Sequence, residues 1–423
     1  MRQRLLYPAA IIALSLGTLA PSANAATWSH SAVHLENLRI FPSTSDSVVY
    51  ADSASEGGSS GIDVPLDGTP QRFDGRSPAG ADPRFATDAG PDGLAHIKLA
   101  CSAKTSGPQV GVRFTNARAL PLPGSTCAQP VGIDANTKGD VVVMTGTERR
   151  GSVRHRSYSR SIYVKGAGDV AFRRVLRFTV LRNASGGAVA IGESGAVQVA
   201  WQDGTIWKSK AGVTYARYRT AAGRWQSVQR FGTSFDAPTR LLDVAILAND
   251  RRLLLWNPDH RVGVLATATP NEAFHDVPVE GPCSEPRLAV SPHGAQALLA
   301  GYSCDGARFR MEAMNIAQDG TTSPIEDIAL PGTGKAGWPS MGTLDVADNG
   351  LALLTWSGWL PGATRENQHA VMAAVRPAGS AQFSAADLID PDGWAISGTL
   401  TPDGHAVIGY NGPSWGKIVI AKP

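Results

Sequence analysis

Seven times along this chain a tight turn opens a short run of apolar and β-branched residues: GLAHIKLA after Asp92, GDVVVMT after Lys138, GAVQVAW after Ser194, RRLLLW after Asp250, GAQALLA after His293, GLALLTW after Asn349 and GHAVIGY after Asp403. With the turns placed at Gly93, Gly139, Gly195, Asp250, Gly294, Gly350 and Gly404, the intervals are 46, 56, 55, 44, 56 and 54 residues. A weaker copy, in which LRIF leads through a turn at Ser47 into VVYAD, lies 46 residues before Gly93. A unit of about 50 residues built of turns and short strands has too little core to stand alone, so it must stack on its neighbours.

Within a unit four strands can be placed. The first precedes the turn, as in PRLAV before Ser291, and the second follows it. A third comes after a loop of variable length, as in VGVRF from Val110, VTYARY from Val213, VGVLA from Val262 and AVMAAV from Ala370. A fourth is marked by an aromatic at Phe172, Trp225, Phe274 or Phe383. Four antiparallel strands at this period predict an all-β chain folded as a single β-propeller, of eight blades by this count and seven if the weak first copy is not one. The last unit supplies only three strands, ending at Lys417 to Ala421, and the segment from Ala26 to Ser31 resembles the missing fourth. Pairing of the two termini in one blade would close the ring and hide its open sheet edges. Forty-six glycines, 28 prolines and a charged fraction of 18% suit such a turn-rich fold, and no amphipathic pattern of helical length occurs.

Residues 1–25 combine a basic start at Arg2 and Arg4, an apolar stretch from Ala9 to Ala20 and the ending Ala23-Asn24-Ala25, the form of a cleaved secretory signal. The apolar run falls short of the roughly 20 residues of a membrane-spanning helix. The expected mature chain, residues 26–423, is one soluble, secreted, monomeric domain without a transmembrane segment. Export favours disulfides for Cys101, Cys127, Cys283 and Cys304. Strand placement puts Cys101 and Cys304 after second strands, and Cys127 and Cys283 before first strands, all on one face of the ring. That favours the local pairs Cys101 with Cys127 and Cys283 with Cys304. No Cys-x-x-Cys spacing or histidine pairing calls for a metal, and no cofactor is expected.

Over essentially all its mature length the chain resembles secreted bacterial β-propeller repeat proteins in general, through the repeat pattern alone. The Asp-box of sialidases, the Trp-Asp endings of WD repeats and the double glycines of kelch blades are absent, so no residue role is carried over. In such a fold the face where the inner strands begin is the expected working face, and here it also carries the variable loops. Trp201, Trp256, Trp356 and Tyr410 recur six residues after the turn and read as core between blades. Trp207, Trp359 and Trp415, in the loops beyond, are candidates for stacking a sugar ring. Arg39, Arg84, Arg240 and Arg287 fall near the starts of inner strands. They are candidates to rim the channel and hold carboxylate, sulfate or phosphate groups.

Catalytic signals are poor. Gly57 to Gly61 fits G-x-S-x-G without the strand-turn-helix setting that exposes a nucleophile. Asp390-Pro391-Asp392-Gly393 reads as a turn rather than a calcium loop. Asp88, Asp134 and Asp345 precede turn glycines by five residues and read as turn formers bonding their own backbone. A glycan hydrolase or lyase would need paired carboxylates. The acids near the working face, Asp82, Asp236, Asp243 and Glu285, each read first as structural.

Charge is the sharpest functional signal. Without the signal the chain carries 37 basic and 36 acidic residues, yet ten basic residues and one acid fall between Arg149 and Arg182. Arg149, Arg150, Arg154 and Arg156, with Arg160 and His155, lie in or beside one loop of the expected working face. Clustered like charge is self-repelling unless a polyanion meets it. The expected function is therefore that of a non-catalytic binding protein for an acidic polysaccharide or envelope polymer, with nucleic acid disfavoured outside the cytoplasm. A glycan-active enzyme and a scaffold for an extracellular protein are the alternatives.

Overall fold

The computed structural model describes the backbone of residues 28–32, 38–42, 48–55, 58–65, 81–88, 94–98, 109–114, 120–126, 129–149, 157–181, 186–203, 213–231, 239–258, 263–277, 284–303, 310–330, 340–359, 369–412 and 416–421, with side chains chiefly beyond residue 130. These residues form eight antiparallel sheets, seven of four strands and one of three, without a helix. The inner strands are Leu38–Pro42, Ala81–Asp88, Gln129–Ala135, Gly187–Ile191, Thr239–Ile246, Ser284–Val290, Ser340–Val346 and Trp394–Leu400, of blades 1 to 8 in order. Each touches the next, and that of blade 8 touches that of blade 1, so the ring is closed. The chain is an eight-bladed β-propeller.

Closure comes from the two ends of the chain. Trp28–Ala32 is the outer strand of blade 8 and pairs antiparallel with Gly416–Ala421, Trp28 opposite Ala421 and Ala32 opposite Lys417. Blade 8 thus holds first and last segments in one hydrogen-bonded sheet.

The turn positions read from the sequence have a common backbone cause. Gly139, Gly195, Gly294, Gly350 and Gly404 all adopt left-handed φ, between 71° and 91°. In each case the residue's N–H bonds the carbonyl three residues back, as from Gly294 to Ser291 at 2.7 Å. A side chain is disfavoured in that conformation. Asp250 fills the same position at φ 61°. The short side chain of aspartate tolerates it.

The fourth-strand aromatics sit just before the strands they were expected to mark. Phe172, Trp225, Phe274 and Phe383 precede Arg173–Leu181, Gln229–Phe231, His275–Val277 and Asp387–Asp390. They plug the outer hairpins, where guanidinium groups cover three of them: Arg217 lies 5.4 Å from the Trp225 ring, Arg252 4.8 Å from Phe274 and Arg376 5.7 Å from Phe383. Between blades the core is aliphatic, and some layers hold several large aromatics, such as Tyr218, Phe231 and Trp256 in one and Tyr302 and Trp356 in another. Trp201, Trp256, Trp356 and Tyr410 are all buried there, as expected.

Sequence patterning did not reveal a recurrent irregularity. The inner strands of blades 2, 3, 5, 6, 7 and 8 each slip register against their second strands, for example between Ser284 and Arg287, between Met341 and Leu344 and between Trp394 and Ser397. Bulges of this kind bend a strand and re-aim its side chains. They lie toward the beginnings of the inner strands, at the channel mouth of the expected working face.

Candidate channel site

An inner strand pairs on one side only, so its channel edge would leave backbone N–H groups unpaired. The preceding blade supplies their partners. Asp134 of blade 3 accepts from Ile191 N of blade 4 at 2.8 Å. Asp345 of blade 7 accepts from Leu400 N of blade 8 at 2.8 Å and from Thr399 Oγ1 at 3.2 Å. Two residues along, Gly398 N donates to Thr343 Oγ1 at 2.9 Å, and at the other mouth Met341 N donates to Glu285 Oε2 at 2.9 Å. Asp134 and Asp345 do bond their own backbone as expected, at Ala135 and Val346, but they are also clamps between blades, which extends their reading as turn formers.

The hairpins at the far ends of the inner strands are also tied to one another, here with the earlier blade donating to the later. Thr137 N and Oγ1 donate to the two oxygens of Glu193, each at 2.9 Å. Ser194 Oγ donates to Asp250 Oδ1 at 2.6 Å, Ala248 N to Gly294 O at 3.0 Å, and His293 Nδ1 lies 2.5 Å from Asp348 Oδ2. The hydrogen bond to Asp348 raises the His293 pKa.

Beneath these hairpins a cavity of about 280 Å³ is lined by the inner strands of blades 3 to 6. Asp134, Asp243 and Glu193 are the carboxylates that line it, while Ile133, Val189, Ile246, Leu288 and Val290 border it with their side chains packed into the cores between blades. Burial pushes Asp134 up to about 7, against the amides of Ile191 and Ala135, and the charge of Asp243 adds to the rise. Asp243 is pushed up to about 6 by burial, opposed by the Val244 amide and by Arg287. Among the described residues neither carboxylate has a salt-bridge partner. Asp243 had been placed near the working face; it lines a cavity reached from the hairpin side. The cavity's place was missed because a channel has no pattern along any one strand.

The other expected site residues divide as follows. Arg84, Arg240 and Arg287 all lie in inner strands, as expected. Of their side chains only that of Arg287 is described; it is exposed, with Nη2 3.4 Å from Met341 O. Glu285 beside it has φ 46°, at the bulge of blade 6. Trp359 ends the second strand of blade 7. Trp207, Trp415, Arg150, Arg154, Arg156 and all four cysteines lie outside the described residues, as does Asp236. Gly58–Pro65 is a strand, so Ser59 sits in a paired segment opposite Ala54 rather than on an elbow. Asp390 accepts from Asp392 N at 2.9 Å and Lys417 Nζ at 2.5 Å, the turn that was expected.

The basic stretch is not one patch. Arg149 ends the second strand of blade 3 opposite Ser157, so the intervening loop leaves from the end where inner strands begin. Arg160 and Lys165 are buried in the sheet, and Gly146 makes room for the Arg160 guanidinium, which would lie 2.3 Å from a Cβ there. Arg173, at the opposite end of the blade, pairs with Asp169 at 3.0 Å. Arg177 Nε donates to Ser159 Oγ at 2.8 Å on the outer rim.

No protein family matches the sequence, and no curated protein does. Among solved structures, the chain is similar to puromycin hydrolase (13% identity, 89% of this chain, 58% of that chain, TM-score 0.45). It is also similar to Kuenenia stuttgartiensis hydrazine synthase (11%, 86% and 99%, TM-score 0.43) and to TolB from Acinetobacter baumannii (9%, 66% and 63%, TM-score 0.34). The chain spans less than two thirds of the length of puromycin hydrolase. None of these similarities carries a residue role to this chain.

Proposed function

We propose that this propeller is a secreted, non-catalytic binding protein for an acidic polymer, a uronate- or sulfate-bearing polysaccharide or a phosphate-bearing envelope polymer, gripped by the loop between Arg149 and Ser157. The supporting observation is where the chain leaves blade 3: the second and third strands end at Arg149 and Ser157, on the end where the inner strands begin. Arg150, Arg154 and Arg156 belong to that connection. Of the remaining basic residues of the stretch, Arg160 and Lys165 are buried, Arg173 is paired with Asp169 and Arg177 lies on the rim, so the loop with its ends carries the largest group of arginines in the stretch. Loops on a rigid scaffold are where recognition is commonly carried, and guanidinium groups suit paired anionic oxygens.

The test is a panel of sulfated, phosphorylated, uronate and neutral polysaccharides, assayed for binding and for new reducing ends in the same samples. The proposal expects binding confined to the anionic members, with no reducing ends released. Binding to neutral members alone, or turnover, would contradict it.

A further inference from the structure

Charge is unevenly shared around the outside of the ring. From the start of the third strand to the end of the fourth, blade 3 (residues 157–181) carries five basic residues and one acid, and blade 4 (residues 213–231) carries four and none. The same segments of blades 5 and 6 (residues 264–277 and 311–328) carry two and four acids and no lysine or arginine. Arg160 and Lys165 of the basic group are buried. Arg173, Arg174, Arg177, Arg224 and Arg230 are exposed, and the one acid, Asp169, is held by Arg173 in an exposed pair of the kind that contributes little.

The sheet of blade 3 connects these arginines to the loop after Arg149. Its outer strand, Arg173–Leu181, ends with Leu181 opposite Ser157, where that loop returns. Arg177 leans towards that end, with Nε donating to Ser159 Oγ at 2.8 Å. Arg174 and Arg173 lie further back along the same strand. At about 3.3 Å per residue, Leu181 to Arg173 is a span of about 26 Å. Blade 4 continues the line. Trp225 Nε1 donates to Val175 O at 3.1 Å, which fastens the outer hairpin of blade 4 to this strand. The Arg219 guanidinium lies over Gly223 of that hairpin, beside Arg224 in the chain. Burial lowers the Arg219 pKa and the charge of Arg173 lowers it further, so two neighbouring blades hold like charges close together. Such an arrangement is self-repelling unless an anion lies across it.

We propose that the acidic polymer held by the loop continues down the outer edge of blade 3, over Arg177, Arg174 and Arg173, and onto Arg224 of blade 4. This deepens the reading of the loop as the grip and rests on it. Sulfate, phosphate or carboxylate groups along the polymer take the place of the acids that this side of the ring lacks, and the edge sets the length of polymer recognised.

The test titrates heparin-type oligosaccharides of graded length, from tetrasaccharide to dodecasaccharide, at rising salt against the intact protein and the edge variant R173S/R174S/R177S/R224S. With about four further contacts releasing counterions, the parent should lose on the order of 50-fold more affinity for the dodecasaccharide than for the tetrasaccharide between about 50 and 200 mM salt. The edge variant should bind the tetrasaccharide as the parent does, show the same salt dependence at every length and melt at the parent's temperature. R224S alone, a change at one exposed hairpin position, should remove about threefold of that 50-fold, the share of one contact. Equal salt dependence at all lengths in the parent, or a steeper dependence for long chains that survives in both variants, would overturn this inference and leave the loop reading standing. Failure of the parent to bind any length would overturn both.

Discussion

Replacing Asp134 by asparagine isolates what the channel carboxylate does to stability. The folded-state pKa of about 7 lies above the ordinary 3.8. The group's contribution to stability is therefore in place below about pH 4 and is lost as pH rises through about 7. At about pH 8 the ionised carboxylate costs up to about 4 kcal/mol, three pH units at about 1.4 kcal/mol each. Contact with channel water reduces this. Asparagine cannot ionise, yet its amide oxygen can still accept from Ile191 N. Losing a charge-assisted bond for a neutral one costs about 1 kcal/mol. The net expectation is that D134N is more stable than the parent at about pH 8 by about 1–3 kcal/mol. For about 400 residues that is a rise in Tm of about 1–4 °C. At about pH 5, where only about a third of that cost has accrued, the variant's advantage should be smaller, and it should vanish below about pH 4. Calorimetric melts of both proteins at the two pH values read this directly. A variant destabilised at both would show that the ionised clamp outweighs its desolvation, and would refute the argument.

Asp345→Ala removes the acceptor of Val346 N, Leu400 N and Thr399 Oγ1. It should cost about 2–4 kcal/mol in denaturant unfolding, and a loss within error would mean that water replaces the clamp. Deleting Ala26 to Leu35 strips blade 8 of its outer strand and should lower the Tm of the whole protein. An unchanged Tm would mean that the closing strand adds nothing to the ring. Peptide mapping without reductant should recover the pairs Cys101 with Cys127 and Cys283 with Cys304; free thiols or crossed pairs would refute the one-face placement.

The repeat was legible in the sequence because one backbone requirement recurs: a left-handed residue after a three-residue turn, met by glycine five times and by Asp250 once among the described hairpins that join first and second strands. Closure was legible because blade 8 runs out of chain one strand short. The inter-blade clamps were not, since an aspartate five residues before a turn glycine looks the same whether it bonds its own turn or the next blade. Only the ring brings the free N–H of Ile191 to Asp134. Nor does a linear run of arginines disclose its own division: Arg160 is buried behind Gly146, Arg173 is paired on the opposite face, Arg174 and Arg177 lie in the outer strand, and Arg150, Arg154 and Arg156 belong to the loop after Arg149.

The claim that this loop grips a polyanion is tested most directly by titrating a heparin-type oligosaccharide against the parent and the variant R149S/R150S/R154S/R156S at rising salt. With about four charge contacts, the parent's affinity should fall on the order of 50-fold between about 50 and 200 mM salt. The variant should bind weakly throughout, with little salt dependence and an unchanged Tm. Equal affinity and equal salt dependence in the two proteins would contradict the account.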